Sequence, residues 1–329
     1  MARIGITSNA SLDELFNSIE LGWNTYNWKQ DAALQKIALF NTNAKGDRVV
    51  YPWTNLSSAP TELLLGADRQ FAGLEIFETI VQHKQYVPEK SMEVYDYQLK
   101  SDIYNVIGLR NDANKIIMGA RNLYKRVLAD LINTNGNAFD SLSFFNAAHP
   151  ANQYSNTALT YANDFTGVDL DEAGLATALQ ALATIPSFDG QIDSGRVGKV
   201  VIVVPTMQLW VKATKLITGG ALIPVNGTTV GTSVAASTIF NELPYGIEVV
   251  FLPELAQAAN PATLKRWYVI NGDMGMGSKA FIVSVLEPPT PDYEYEASNM
   301  KKLAARFSWH AYMGAGLGMP SEAVRLQTP

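Results

Sequence analysis

The chain is 329 residues long, 47% hydrophobic and 17% charged; that is apolar material for a large core, with less than the roughly one-quarter charge usual in a soluble domain. Its 25 basic and 31 acidic side chains leave a net charge of −6, so there is no global positive field to grip nucleic acid, and the lack of cysteine excludes disulfides, thiolate metal sites and cysteine nucleophiles. Sparse charge over ample apolar content predicts a surface covered by something else, copies of the chain included; with no signal-peptide h-region and no run of about 18 apolar residues, synthesis and retention in a cytoplasm are expected.

From the N-terminus, Ser11-Leu12-Asp13-Glu14 reads as a capping box for a helix with Leu12, Leu15, Phe16 and Ile19 on one face. Trp23, Tyr26 and Trp28 follow, and a second short helix is predicted over 31–40 with Leu34, Ile37 and Ala38 inside. Neither is long enough to be stable alone, so both must lie on the chain's own core or on a neighbouring subunit. Lys45-Gly46-Asp47 is a turn, and Arg48 to Trp53 has the β-branched and aromatic content of a strand, placed on an edge by Pro52. The stretch 56–60 reads as loop, and the return over 61–80 has no clean period. An isolated two-stranded excursion is marginal in water. Here it carries Trp53, Leu63, Leu64 and Phe71, so it is expected to pack on another surface. Residues 81–99 alternate as a strand, with Met92, Val94, Tyr97 and Leu99 among their apolar positions.

The longest periodic segment is 111–134, where Ile116, Ala120, Leu123, Val127 and Leu131 recur at helical spacing and Ile117, Tyr124, Leu128 and Ile132 widen the stripe. At about 1.5 Å per residue it predicts a rod of roughly 30 Å. Asn111 or Asp112 caps its start, and Asn133-Thr134-Asn135-Gly136 stops it, with Gly136 taking positive φ. Beyond FDSLSFFNAAHP (139–150) and a polar stretch to 166, a helix is predicted over 169–184 with Leu170, Leu175, Leu179 and Leu182 buried. A turn-rich boundary over 186–198 leads to KVVIVVP (199–205), whose unbroken apolar run reads as a buried strand. Thr206 caps a helix through 216, and 218–237 is a Gly- and Thr-rich loop. Strands are predicted at 246–252, 266–271 and 281–286, the last closed by Pro288, Pro289 and Pro291. An alternating segment returns over 301–313 before Gly314-Ala315-Gly316-Leu317-Gly318. This layout places one α/β unit between two parts of another.

No motif carries catalysis. His83, His149 and His310 are the only histidines; they form no H-x-x-x-H pair, and no G-x-S-x-G elbow exists. His149, in a turn before Pro150, reads as structural. Gly275 to Ala280 spells G-x-G-x-x-A, and 272–279 superficially resembles a P-loop, but both need a helix next and the β-rich FIVSVLEPP follows instead. Glu294 and Glu296 alternate in a strand pattern, and Trp23, Trp28 and Trp53 lack basic neighbours in the quantity that base stacking would call for. No catalytic, cofactor-binding or metal-binding residue is assigned.

The order of arm, projecting hairpin, alternating strand, long helix, α/β unit with a loop and returning strand resembles that of tailed-phage major capsid proteins, whose fold is named after phage Hong Kong 97. SFFNAAHP (143–150) is similar to a signature of the Mu-like major head subunit group. PW…GADRQF (Pro52, Trp53, Gly66, Ala67, Asp68, Arg69) is similar to that group's hairpin, and NELPYGIEVVFLPEL (241–255) to a later strand of its axial domain. The resemblance implies an α+β, Hong Kong 97-like fold with an N-terminal arm (1–47) and an extended E-loop (48–80). A peripheral domain (81–185 and 287–329) would carry the spine helix 111–134, and 186–286 would be the axial domain. It further implies a non-enzymatic virion shell of hexamers and pentamers, assembled in the host cytoplasm around double-stranded DNA without sequence-specific binding, membrane or cofactor. Trp53, Leu63, Leu64, Asp68, Arg69 and Phe71 would make inter-subunit contacts. The lack of a long N-terminal scaffold segment implies a separate scaffolding protein or a segment already removed, and a portal and a decoration protein are further expected partners. The alternatives are an encapsulin-like compartment shell, and an α/β enzyme binding a nucleotide at the Gly-rich loop 272–279.

Overall fold

In the computed structural model, the described residues are 20, 23, 32–54, 76–95, 106–151, 159–186, 192, 197–218, 246–272, 279–295 and 304–329. The chain enters through helix α1 (Ala32–Ile37) and strand β1 (Ala38–Asn41), so the helix predicted over 31–40 ends early. The cause is tertiary: Ala38 to Asn41 pair in parallel with Phe281 to Ser284, and this ladder overrides local helix preference. Strands β2 (Arg48–Thr54) and β3 (Ile76–Gln82) form an antiparallel ribbon, with Gly46 at φ +83° in the turn before it. Strands β4 (Lys84–Tyr86) and β5 (Met92–Tyr95) follow.

The spine is two helices, α2 (Val106–Arg121) and α3 (Leu123–Thr134), meeting at Asn122, whose φ of −91° and ψ of 0° are off the helical values. It begins five residues before the predicted start, with Asn111 and Asp112 inside it rather than capping it. At its far end the left-handed residue is Asn135 (φ 48°, ψ 48°), not Gly136. Asn135 Oδ1 accepts the Phe145 N–H at 2.7 Å and its Nδ2 donates to the Phe145 carbonyl at 3.2 Å. These two bonds offset the steric cost of the left-handed region.

After short strands β6 (His149–Pro150), β7 (Thr160–Tyr161) and β8 (Asp164–Thr166) comes helix α4 (Glu172–Thr184). Asp171 caps it by accepting the Gly174 N–H at 2.7 Å. Leu170 and Leu175, at staple spacing around that cap, are buried in one cluster. Strand β9 (Lys199–Val204), helix α5 (Met207–Thr218, capped by Thr206), and strands β10 (Gly246–Phe251) and β11 (Arg266–Asn271) match the expected positions. Strands β12 (Phe281–Tyr295), β13 (Ala304–Leu317) and β14 (Ala323–Gln327) complete the chain. Pro288, Pro289 and Pro291 therefore do not close β12. The ladder to β13 slips between Val285 and Thr290 to admit them, and β1 pairs with β12 only at 281–284, leaving the other edge of the proline stretch without that partner.

Two five-stranded sheets result. The first runs β1-β12-β13-β4, with β5 also on β13; the second runs β10-β9-β11-β14-β8. The second sheet is covered on both faces. Val201 and Val203 of β9, with Tyr268 and Ile270 of β11, enter a core shared with α3, β12 and β13. Val200, Ile202, Val204, Trp267 and Val269 face the other core, with α4 and α5. This explains the unbroken apolar run of β9. Strands β8 and β14 and helix α4 go with the second sheet, whereas 281–286 belongs to the first. Alternation in β14 sends Val324 and Leu326 to the second core and Ala323 to the shared one, which is why it slots between β11 and β8. Among the described residues no helix is long and apolar enough to cross a membrane.

Candidate functional site

The feature with the most evident outward role is the β2–β3 ribbon, and its root is held from several sides. The His83 N–H donates to the Asp47 carbonyl at 2.8 Å. Its ring lies 2.8 Å from the Gly46 carbonyl through Nδ1 and 2.9 Å from Ser284 Oγ through Nε2. A carbonyl only accepts, so in the neutral ring Nδ1 carries the hydrogen and Nε2 accepts from the Ser284 hydroxyl. Thr79 Oγ1 donates to the Leu317 carbonyl at 3.1 Å, and Asn41 Nδ2 donates to the Tyr51 hydroxyl at 3.0 Å.

The ribbon then crosses β13 at van der Waals distance. A Cβ on Gly314 would run into the Gln82 carbonyl, and one on Gly316 would lie 2.6 Å from a Val81 methyl. Gly314 and Gly316 are thus the surface on which β3 rests. Pleating sorts the ribbon's side chains. Val49, Tyr51, Thr79 and Val81 turn inward, while Arg48, Val50, Pro52, Glu78, Ile80 and Gln82 are exposed. Val50 and Ile80 are directly opposite in the register and 43% and 55% exposed, an apolar cross-strand pair facing solvent. Of the contact residues expected from sequence, Leu63, Leu64, Asp68, Arg69 and Phe71 lie outside the described residues, and Trp53 is described through its backbone alone, opposite Phe77.

The arm contributes to its own subunit. Trp23, Leu34, Ile37 and Ala38 are buried in the shared core, with Trp23 edge-on to Phe307, so these residues do not reach a neighbour. Glu248 accepts from both Lys36 and Lys199 at 2.5 Å, joining α1 to β9 and β10. Hydrogen bonds from Lys199 and then Lys36 hold its carboxyl below the usual range.

Three side chains of the SFFNAAHP segment, Phe144, Phe145 and His149, are buried. Phe144 is fully buried, packing on Phe281 and edge-on to Phe145, whose ring lies beside Tyr268 and 4.9 Å under the Arg325 guanidinium. Arg325 is paired through two nitrogens with Asp164, at 2.9 and 2.6 Å. Burial among these groups pushes the Tyr268 hydroxyl up to about 12. His149 is fully buried, with Nδ1 2.5 Å from Asp140, Nε2 3.0 Å from the Phe144 carbonyl and its ring stacked on Tyr161. Asn163 donates to the Phe144 and Pro320 carbonyls at 2.8 and 2.9 Å and accepts the Asn146 N–H at 2.7 Å. Sequence reasoning found the phenylalanines and the structural role of His149. It missed Asp140, Asn163 and Arg325, because polar residues inside irregular segments look like solvated turns.

Residues 273–278 of the Gly-rich stretch lie outside the described residues. Strand β12 starts at Phe281, and Lys279 is buried, donating to the carbonyls of Gln35 at 2.6 Å and Lys36 at 3.3 Å. Glu294 lies in β12 opposite Arg306, and Glu296 is outside the described residues. Among the described residues, no group of three or more His, Asp or Glu side chains is placed to hold a metal ion.

No protein-family model matches this sequence, and no curated protein matches it. Solved structures do. The capsid of cyanophage P-SCSP1u is similar with a TM-score of 0.54 and 14% identity, over 89% of this chain and 86% of that one. The mature capsid of bacteriophage PhiM1 is similar at 0.52 and 12% identity, over 89% and 85%. The capsid of cyanophage Pam1 is similar at 0.51 and 12%, over 89% and 88%. At such identities the likeness is one of fold, and it runs nearly the full length of each chain. The chain has the α+β fold of tailed-phage major capsid proteins, the fold named after phage Hong Kong 97.

Proposed function

We propose that this chain is the major subunit of a phage head, a structural protein rather than an enzyme, which self-assembles as hexamers and pentamers into an icosahedral shell around double-stranded DNA. The observation that carries the reading is the ribbon: firmly mounted at His83, Gly314 and Gly316, yet presenting Val50 and Ile80 to solvent in a single subunit. Each large apolar side chain buried on a neighbour contributes on the order of 1.5–3 kcal/mol before ordering entropy is subtracted. Many such modest contacts, multiplied by symmetry, give a firm shell. In this reading 1–47 is the arm, 48–80 the E-loop, and the sheet of β12 and β13 with the spine helices the peripheral domain. The second sheet with α4 and α5 is the axial domain. The net charge of −6 fits a container that encloses DNA without gripping it. A separate scaffolding protein, a portal, a decoration protein, assembly in the host cytoplasm and residence in the virion belong to the same proposal.

Electron microscopy of the purified chain tests it. Closed shells are expected from the full chain, and a folded subunit that makes none from a variant lacking residues 56–65. Normal shells from the deletion variant would remove the ribbon from the mechanism. A full chain that stays monomeric with its scaffold present would remove the shell itself. Co-purified DNA in native particles separates a phage head from a cargo compartment.

A further inference from the structure

His310 sits on β13 where the ladder to β12 is irregular. Glu287 pairs with Tyr312 and Thr290 with His310, so Pro288 and Pro289 have no place in the register, and as prolines they have no N–H to offer. Side chains span this gap. His310 Nδ1 is 2.7 Å from Asp292 Oδ2, and Nε2 is 3.3 Å from Glu287 Oε1. The two carboxylates approach opposite nitrogens of one ring, so they do not converge on a point where a metal would sit. Both are acceptors when ionised. Only the imidazolium donates to both; a neutral ring turns a lone pair toward one of them.

We propose that His310 is a proton-operated clasp, closed as the imidazolium and open as the neutral ring, that holds the irregular stretch 286–291 of β12 against β13.

Among the described residues, these carboxylates are the groups that set its charge. Phe307, Trp309, Ala311 and Met313 of β13 turn into the shared core, and Trp309 bonds to the spine at the Ile116 carbonyl, so α2 and α3 pack on the opposite face from His310. On the His310 side lie Ser308, bonded to Ser91, and Tyr312, edge-on to the imidazole. Strand β3 crosses that face near Gly314 and Gly316, with Glu78 exposed on the ribbon and His83 turned to Gly46 and Ser284. On β4, Lys84 and Tyr86 pair opposite Met313 and Ala311, and burial, then Asp130, raises the Tyr86 hydroxyl above its ordinary value; on β5, Glu93 is bonded to Arg306. The His310 pKa is raised above its ordinary 6.5, first by the hydrogen bond to Asp292, with Glu287 adding to it against partial burial. The stabilisation is therefore fully present below the unfolded-state value and is lost as pH rises through the higher folded one. The clasp is a property of the subunit and does not depend on the shell reading.

Amide exchange of the full chain, corrected for intrinsic rates, tests it in wild type and His310→Gln at about pH 6 and about pH 9. At the lower pH the amides of Leu286, Glu287, Thr290 and Asp292 in the variant should exchange roughly two- to fivefold faster than in wild type, the range of a partly exposed ion pair. At the higher pH the two proteins should agree, and β9 should be unaffected throughout. An equal gap at both pH values would overturn the proposal, leaving His310 a packing residue. A His310 ring in the wild-type chain that titrates at or below 6.5 by NMR would overturn it independently. In Asp292→Asn that midpoint should fall.

Discussion

Asn163 shows how much a single polar side chain can organise. It is fully buried, and its amide bonds the Phe144 and Pro320 carbonyls and the Asn146 N–H, tying together two segments far apart in sequence. In Asn163→Ala the Phe144 carbonyl keeps His149 Nε2 and the Pro320 carbonyl keeps the Ala323 N–H, so the Asn146 N–H is the group that loses its bond. An unsatisfied buried group costs about 1–3 kcal/mol, so a loss of about that size in urea unfolding is expected. A loss well under about 1 kcal/mol would mean that this N–H finds another partner by local rearrangement. Nothing in the local pattern marks Asn163: it stands in a polar stretch that reads as loop, and its partners lie 19 and 157 residues away. Asn135 was legible as part of a stop signal, but glycine is the default left-handed residue, so Gly136 looked the better candidate. The side-chain bonds to Phe145 that decide for Asn135 exist only in the folded chain.

At the scale of elements, the short helix α1 is held at its C-terminal end. Its C-terminal carbonyls accept from buried Lys279, and Lys36 shares Glu248 with Lys199 of β9. The folded-state pKa of Glu248 is depressed, so its contribution is present above the ordinary 4.5 and is lost as pH falls through the lower folded value. The three side chains are 34–40% exposed, and solvent screening keeps the contribution below about 1 kcal/mol. Glu248→Gln should therefore be less stable than wild type near neutral pH by less than about 1 kcal/mol, with the gap closing in acid. Thermal melts across that range check it; a gap that widens on acidification would contradict the assignment. Elements with a strong period were legible: β9, β11, α4 and most of the spine follow their apolar spacing. The failures share a cause. Ala38 to Asn41 and the passage of β12 through its prolines are both settled by a neighbouring strand, which local periodicity does not describe.

For the whole molecule, the order of parts was legible through its resemblance to phage capsid proteins, but the membership of the sheets was not. Alternation in AVRLQ marks β14 as a strand without saying that it belongs between β11 and β8. The narrower Mu-like grouping rests on residues 52–69, 143–150 and 241–255, and the described contacts of 143–150 are those of an interior joint. Such a joint records the demands of packing more directly than it records a partner. Assembly should instead depend on residues that the single subunit has no use for. Val50 and Ile80 meet that condition, since they form an exposed pair on a ribbon whose inner face is already packed. Changing both to Asp places two like charges directly opposite each other. Even so, on an exposed strand pair the folding stability of the subunit should change by no more than about 1 kcal/mol. Burying those charges against a neighbouring copy is far more costly, and the cost recurs at every equivalent contact. Sedimentation should then find a folded subunit that no longer closes shells, while Glu78→Lys, a change of charge without deep burial, should leave assembly salt-dependent but present. If the doubly charged variant assembles like wild type, the outer face of the ribbon is not where copies of this chain meet, and the contacts must lie elsewhere on the subunit.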